Sequence, residues 1–595
     1  MKNTACRNKI DQIAPELHNA FDTQAFVGDI KTPLLLITAK AAVGYNIAPP
    51  LGVYQLYHYV TQRGVKCDLL DRELEAEEDY IRKAESGTYD VIGISLSHMN
   101  MEDELDLLWR LRVAAERSGK RVLFIAGGQE ATMNWEQWLD VGIDLIFMGF
   151  AEKRLFEFCV RLSAKLDEFR NGLEIDAIAK GMMGIAYISH RWGPTYLPAP
   201  QLTLDEFREL FFDQVMTIDM PFHTYWDMLR RKSADTTLGA SAFVIENIRL
   251  YTTSHCPRRC GFCNSQSFLT ESQTDQENLM TKWEGWIASK GKLPIIQLSA
   301  EETAKLILMY VNRYGAKSFL FSDDDFPVGS KQGLARVHDF CSIIVDYKRD
   351  GLIPEGVTFS CQARVADFLK RVKKQTIPNW EILEIMKQAG FHSIGMGVET
   401  FSDKLLLAPS VNKMGIKVSD CRLIIDAMLT IGLVPQINII LGIPESTVEE
   451  LVETMEIAVH YITQGCDVAV SRRLLALPGA PIYDAGLYEL RSNKWINPVN
   501  GQEVLIADYF VPGDPVIAEA MDTMEQEAAD ELKRITREKG WEGKIVHKRV
   551  VGMSALIALS RLIKRNDVAA QFRSVLDDIL DEPAKFRKLY PSFSE

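Results

Sequence analysis

The chain of 595 residues is 47% apolar and 25% charged, with a formal net charge of −14 and a pI near 5.4. Such a length exceeds what one hydrophobic core serves and implies about three to four domains, while the composition excludes a disordered or fibrous class. Net acidity argues against a nucleic-acid partner, and no apolar run approaches the roughly 18 to 20 uncharged residues of a membrane span.

Residues 1–32 read as an N-terminal extension without the apolar core of a signal peptide, which predicts a cytoplasmic protein with no membrane partner. Residues 33–169 alternate short apolar runs with amphipathic stretches, the signature of parallel strands joined by helices. Strands are predicted at Leu34–Thr38, Lys66–Leu70, Val91–Ser97, Val122–Ala126 and Leu145–Met148, with helices near Gly52–Arg63, Met101–Ser118 and Lys153–Lys165. This is a doubly wound, Rossmann-like α/β domain. Its ligands are expected beyond the carboxyl ends of the strands, where Gly127, Gly128 and Gly149 fall. Residues 170–245 read as a connector with a small hairpin around His190–Pro194, and the aromatics of Met220–Trp226 read as interdomain core.

A second α/β array occupies residues 246–485. Strands are predicted at Ile248–Thr252, Ser318–Phe321, Val357–Cys361, Ser393–Gly397, Gln436–Leu441 and Val468–Leu474, and Ser299 to Glu302 has capping-box form. Six strand–helix units predict a partial (β/α)6 barrel of TIM type, with reactive groups at the strands' carboxyl ends. There the sequence places Asp323, Asp324, Gln362, Arg364, Glu399 and Gly442. The first strand runs into Cys256, Cys260 and Cys263, at Cys-x3-Cys-x2-Cys spacing, whereas the other seven of the ten cysteines are scattered and form no disulfide framework. A closed iron–sulfur cluster takes four cysteine ligands, so three leave one iron open to chemistry. The rival readings are a structural zinc site, which normally completes four ligands that no nearby pair supplies, and three core cysteines, which would not crowd a Gly- and Arg-rich turn. Residues 486–595 have helical periodicity and read as a mainly helical C-terminal domain, with Trp495, Tyr509 and Trp541 as candidates to cover a substrate opening.

Residues 33 to 485 resemble the cobalamin-dependent branch of the radical S-adenosylmethionine (SAM) superfamily. Cys-x3-Cys-x-aromatic-Cys after a first strand is that superfamily's signature. Ala48-Pro49-Pro50-Leu51-Gly52, Gly93-Ile94-Ser95, Ala126-Gly127-Gly128 and Gly149-Phe150-Ala151-Glu152 resemble the ordered landmarks of its cobalamin-binding domain. The resemblance implies a [4Fe–4S] cluster on the three cysteines. It implies SAM contacts from Phe262, set against adenine, from Asp323, Asp324, Gln362, Arg364 and Glu399, and from Leu441 and Gly442. It implies cobalamin contacts from Pro50, Leu51, Ser95, Gly127, Gly128, Gly149 and Glu152. One departure is the stretch Lys40 to Asn46, which offers no histidine where methionine-synthase relatives supply one to cobalt.

The expected activity is methyl transfer from methylcobalamin to a carbon of a small-molecule or peptide substrate, after hydrogen abstraction by a 5'-deoxyadenosyl radical. The expected partner is an external electron donor such as flavodoxin or ferredoxin. Rearrangement, cyclisation or oxidation without net methylation is the alternative, and a non-enzymatic cobalamin-binding sensor is the third reading.

Overall fold

The structure is a computed structural model that describes residues 30–41, 48–197, 199–200, 202–234, 245–265, 268, 273–274, 294–373, 375–542, 546 and 548–581. Most of the expected N-terminal extension and most of the loop from Lys40 to Asn46 lie outside these residues.

Seven strands form the first sheet: β1 (Leu34–Ile37), β2 (Cys67–Leu70), β3 (Val91–Ser95), β4 (Leu123–Gly127), β5 (Leu145–Phe147), β6 (Ile185–Ser189) and β7 (Gly193–Leu197). Their order is β2-β1-β3-β4-β5-β6-β7, with β1 to β5 parallel and β6–β7 added as an antiparallel hairpin. β1 is apolar at every position because helices cover both faces, as with Leu51–Thr61 and Met101–Arg117. The order in which strands are added reverses between β1 and β3, so the loops after them diverge and leave a crevice at the carboxyl edge. Gly93 of β3 faces that crevice's floor. A side chain there would begin 2.8 Å from Leu36 Cδ2. The hairpin expected in a separate connector therefore extends this sheet, because Ile185, Ala186, Tyr196 and Leu197 need apolar cover that a free hairpin lacks.

The second sheet is six-stranded and parallel, built from β8 (Asn247–Leu250), β9 (Ser318–Phe321), β10 (Thr358–Ala363), β11 (Phe391–Glu399), β12 (Val434–Ile440) and β13 (Asp467–Ser471), in the order β13-β12-β11-β10-β9-β8. Crossover helices such as Ala300–Tyr314, Lys331–Arg349 and Val448–Thr463 pack outside. The first carries the expected capping box, with Ser299 Oγ accepting from Glu302 N and Glu302 reaching back to Ser299 N. Phe319, Phe321, Phe326, Phe340, Phe359 and Phe391 stack into one aromatic core beneath the site.

One core runs from Leu34 through Phe207, Phe211 and Tyr225 of the connecting segment to Ile248 of β8. The join is also polar. Tyr225 Oη donates to buried Asp71 at 2.7 Å, as Tyr54 Oη does at 2.8 Å, and Gln55 and Gln214 bond the backbone across it.

Among its described residues the C-terminal region has three helices, Pro515–Glu538, Lys548–Leu562 and Asn566–Asp581, preceded by a hairpin that the sequence reading does not contain, β14 (Leu490–Ile496) and β15 (Glu503–Phe510). That hairpin lies on the first sheet's helices: Trp495, Val504 and Ile506 join the core of Trp138 and Leu139, and Trp495 Nε1 donates to Asp106 at 2.8 Å. Trp495 is thus a packing residue, not a cover for a substrate opening. Among the described residues no helix is long and apolar enough to cross a membrane.

Candidate active site

The carboxyl ends of β8 to β13 carry a loop clasped from several sides. Asp323, wholly buried after β9, accepts from the backbone amides of Thr252 and Thr253, both at 2.7 Å, and from Thr252 Oγ1 at 2.6 Å. It thereby directs the chain out of β8, and burial still pushes its carboxyl up to about 6. His255 turns inward, its Nδ1 2.9 Å from Ser254 Oγ. Arg258 donates to Val328 O at 3.1 Å and stands 3.9 Å from Asp325 and 4.0 Å from Asp367.

A second segment, Ala408–Lys413, closes over the loop. Gly261 N donates to Val411 O at 3.3 Å, Ile482 N donates to Gly261 O at 3.1 Å, and Asn412 Nδ2 donates to Arg259 O at 2.7 Å. A β-carbon on Gly261 would lie 2.0 Å from Pro409 O, so no side chain fits this position.

The loop presents Cys256, Cys260 and Cys263, all partly buried and unbonded to one another. Burial pushes the thiols of Cys256 and Cys263 up to about 12. Cys260 is raised by burial too, but the nearby Lys413 ammonium opposes it. Among the described residues no three His, Cys, Asp or Glu side chains converge as a single-ion cage.

Lys413, which the sequence reading missed, is 4% exposed. Its Nζ lies 2.7 Å from Glu399 Oε1 and donates to Gly397 O. Glu399 holds a left-handed backbone, φ 64°, where the β11–β12 ladder slips a register. Such strain concentrates at functional sites. A charged lysine buried between a strand end and a cysteine loop is not an element of any periodicity, so the sequence carries no local signal for it.

The other expected site residues gather around the same loop with different tasks. Asp324 accepts from Ser265 Oγ, just after Cys263. Gln362 Oε1 accepts from Asn438 Nδ2 at 3.3 Å, and Arg364 N donates to Asp367 at 2.8 Å while its buried Nε has no partner among the described residues. Phe262 packs against the apolar cluster of Ile440 and Ile443. Leu441 is fully buried and holds its turn by donating to Ser471 O at 3.0 Å, and Gly442 admits Met521 Sδ 3.2 Å from where a β-carbon would stand.

Between the two sheets lies a cavity of about 650 Å³. One wall contains Pro50, Leu51, Gly93, Ser95, Gly127, Gly128, Gly149 and Glu152, and the opposite wall contains Arg249, Leu250, Tyr251, Phe268 and Ser322. Gly128 has φ 102°, and a β-carbon there would meet Leu96 O at 3.2 Å. Glu152 is 4% exposed with Oε2 unpartnered among the described residues, and burial pushes its carboxyl up to about 7.

Residues 37–158 match the family model of the B12-binding domain, and residues 250–458 match that of the radical SAM superfamily. The chain belongs to the cobalamin-dependent radical SAM enzymes. It is 23% identical over 426 residues to an uncharacterised methyltransferase of Pyrococcus horikoshii, spanning 70% of this chain and 74% of that one. Its fold is like that of the cobalamin-dependent SAM radical enzyme OxsB, at TM-score 0.61 and 14% identity over 95% of this chain and 83% of the other. It is also like the radical SAM methyltransferase TsrM from Kitasatospora setae, at TM-score 0.54 and 13% identity over 91% and 99%.

The cofactors of this cobalamin-dependent radical SAM enzyme are a [4Fe–4S] cluster, SAM and cobalamin. Its residues fit them. The three thiols stand on a loop that admits only glycine where Pro409 O presses on it, and three ligands of a cluster stand further apart than the ligands of one ion. The cavity has a glycine floor, a mainly apolar lining and an orphaned carboxyl oxygen, which suits a broad ring system edged with amide donors. Its described lining contains no imidazole.

Proposed function

We propose that this radical SAM enzyme is a C-methyltransferase acting on a small-molecule or peptide substrate. In this reading Cys256, Cys260 and Cys263 hold the cluster, and Pro50, Leu51, Ser95, Gly127, Gly128, Gly149 and Glu152 hold cobalamin. When bound, the cluster and SAM supply a hydrogen-abstracting radical and cobalamin supplies a transferable methyl. The observation that carries the reading is the shared cavity: turns of the B12-binding domain form one wall, and the residues flanking the cysteine loop, Tyr251 and Phe268, form the other. Methyl transfer to a carbon radical needs the two cofactors to face one substrate, and this arrangement supports it. The methyltransferase relative in Pyrococcus horikoshii supports it independently.

The chain's own groups have separable tasks in this reading. Lys413 offsets negative charge at Cys260 and holds Glu399 oriented toward SAM. Arg364, with its free Nε, meets the SAM carboxylate, and Gln362 and Asp324 border the same space. Phe262 and the turn of Leu441 and Gly442 make the adenine seat, while Asp323 acts through the loop it positions. Phe150, Phe211 and Tyr251 keep water from the cavity between the domains.

The test is anaerobic turnover with methyl-labelled SAM, an electron donor such as flavodoxin and candidate substrates. The expected product carries the label and is heavier by one methyl. An altered product without label would replace methylation by rearrangement, cyclisation or oxidation. A Cys260→Ala variant that kept the protein's full biological effect would replace both by a cobalamin sensor.

A further inference from the structure

Two turns of the B12-binding domain touch the chain just after Cys263. Gln129, which follows Gly128, donates from Nε2 to Asn264 Oδ1 at 2.9 Å. Asn264 in turn donates from Nδ2 to Pro478 O at 3.1 Å, beyond β13. Phe150, which follows Gly149, meets Phe268 edge-on with ring centroids 6.2 Å apart, and Phe268 N donates to Asn264 O at 3.1 Å. Gly128, Phe150 and Phe268 all line the cavity. Whatever fills it therefore presses on both turns, and through them on the stretch that begins one residue after a cluster cysteine.

We infer that Gln129 and Asn264 form a positioning link through which cobalamin and the iron–sulfur cluster bind cooperatively. This rests on the placement of both cofactors proposed above. An empty cavity leaves the turn of Gly127 and Gly128 free to shift, and Asn264 Oδ1 then loses the Gln129 donor that orients the end of the cysteine loop. An assembled cluster holds Cys263, and so presents Asn264 Oδ1 at the place where Gln129 needs it. Coupling of this kind is reciprocal: each cofactor raises the other's affinity by the same factor. One hydrogen bond and one ring contact at a partly exposed junction give a factor of about five.

A link that merely joined the domains would lower cobalamin affinity equally with and without the cluster. Gln137 is the internal comparison, because it also bridges parts of the chain, donating to Leu505 O at 2.8 Å, yet it lies away from the cysteine loop.

The experiment titrates hydroxocobalamin into the full chain, once with its cluster reconstituted and iron counted, and once with the cluster removed by chelation. Tryptophan fluorescence reads Kd. The wild type is expected to bind about fivefold more tightly with the cluster present. Gln129→Ala is expected to bind cobalamin still, with the ratio between the two Kd values clearly reduced, and Gln137→Ala to keep the wild-type ratio. Equal Kd values in the wild type, or an undiminished ratio in Gln129→Ala, would overturn the link while leaving the cofactor placement intact. No binding by any form would overturn that placement and the link with it.

Discussion

Lys413 sits between a thiol and a carboxylate, with almost no water to screen it. Removing one partner of such a buried pair costs about 3 to 5 kcal/mol, because the other charge stays buried alone. Lys413→Met is therefore expected to lower the thermal midpoint clearly, and adding Glu399→Gln to recover most of the loss; calorimetry of the cluster-free protein checks both. Glu152 gives a pH dependence. Its folded carboxyl holds a proton up to about 7, against the ordinary value of 4.5. The folded state thus binds more protons than the unfolded state between these values, so this group's contribution is full below the lower value and lost as pH rises through the upper one. The gap corresponds to about 3 kcal/mol. Urea unfolding of the apoprotein should show Glu152→Gln gaining on wild type by up to that amount between about pH 5 and about pH 8.

The hairpin β14–β15 gains its place by contact with another element rather than by its own pattern. Of β14 only Trp495 is buried, so its sequence, Leu-Arg-Ser-Asn-Lys-Trp-Ile, shows none of the alternation that marks a half-buried strand. Trp495→Ala is expected to destabilise by about 3 kcal/mol or more, and Trp495→Phe, which loses the bond to Asp106 and part of the ring packing, by about 1 to 2 kcal/mol. Chemical denaturation followed through the remaining tryptophans measures the difference. Local pattern likewise decides which elements are legible in the sequence. The parallel strands are, because strands buried on both faces are continuous apolar runs: Ser318–Phe321 is met residue for residue, and the other strand and helix ends shift by a few residues. The landmarks around the cavity are, because glycine and proline turns are written locally. Asp323 reads as a SAM contact but turns toward Thr252 and Thr253, and Lys413 went unread, because tertiary pairing alone decides where each charge points.

At the scale of the molecule, both sheets turn their carboxyl ends toward one cavity, and the connecting segment locks them through Tyr225, Asp71 and Tyr54. The C-terminal region adds a second tie on the far side of the first sheet. A chain ending at residue 485 would leave the surface of Trp138 and Leu139 uncovered. Such a truncation is expected to bind an apolar dye strongly and to aggregate at concentrations where the full chain stays monodisperse in light scattering.

The reach of Trp495 back to Asp106 also sets a schedule for making the protein. The B12-binding domain leaves the ribosome first, yet its hairpin cover is translated nearly four hundred residues later, a separation of 389 positions. At roughly 5 to 20 residues per second, that domain waits on the order of tens of seconds with an apolar face exposed. Nascent chains therefore need protection over this interval, until the hairpin emerges to cover that face.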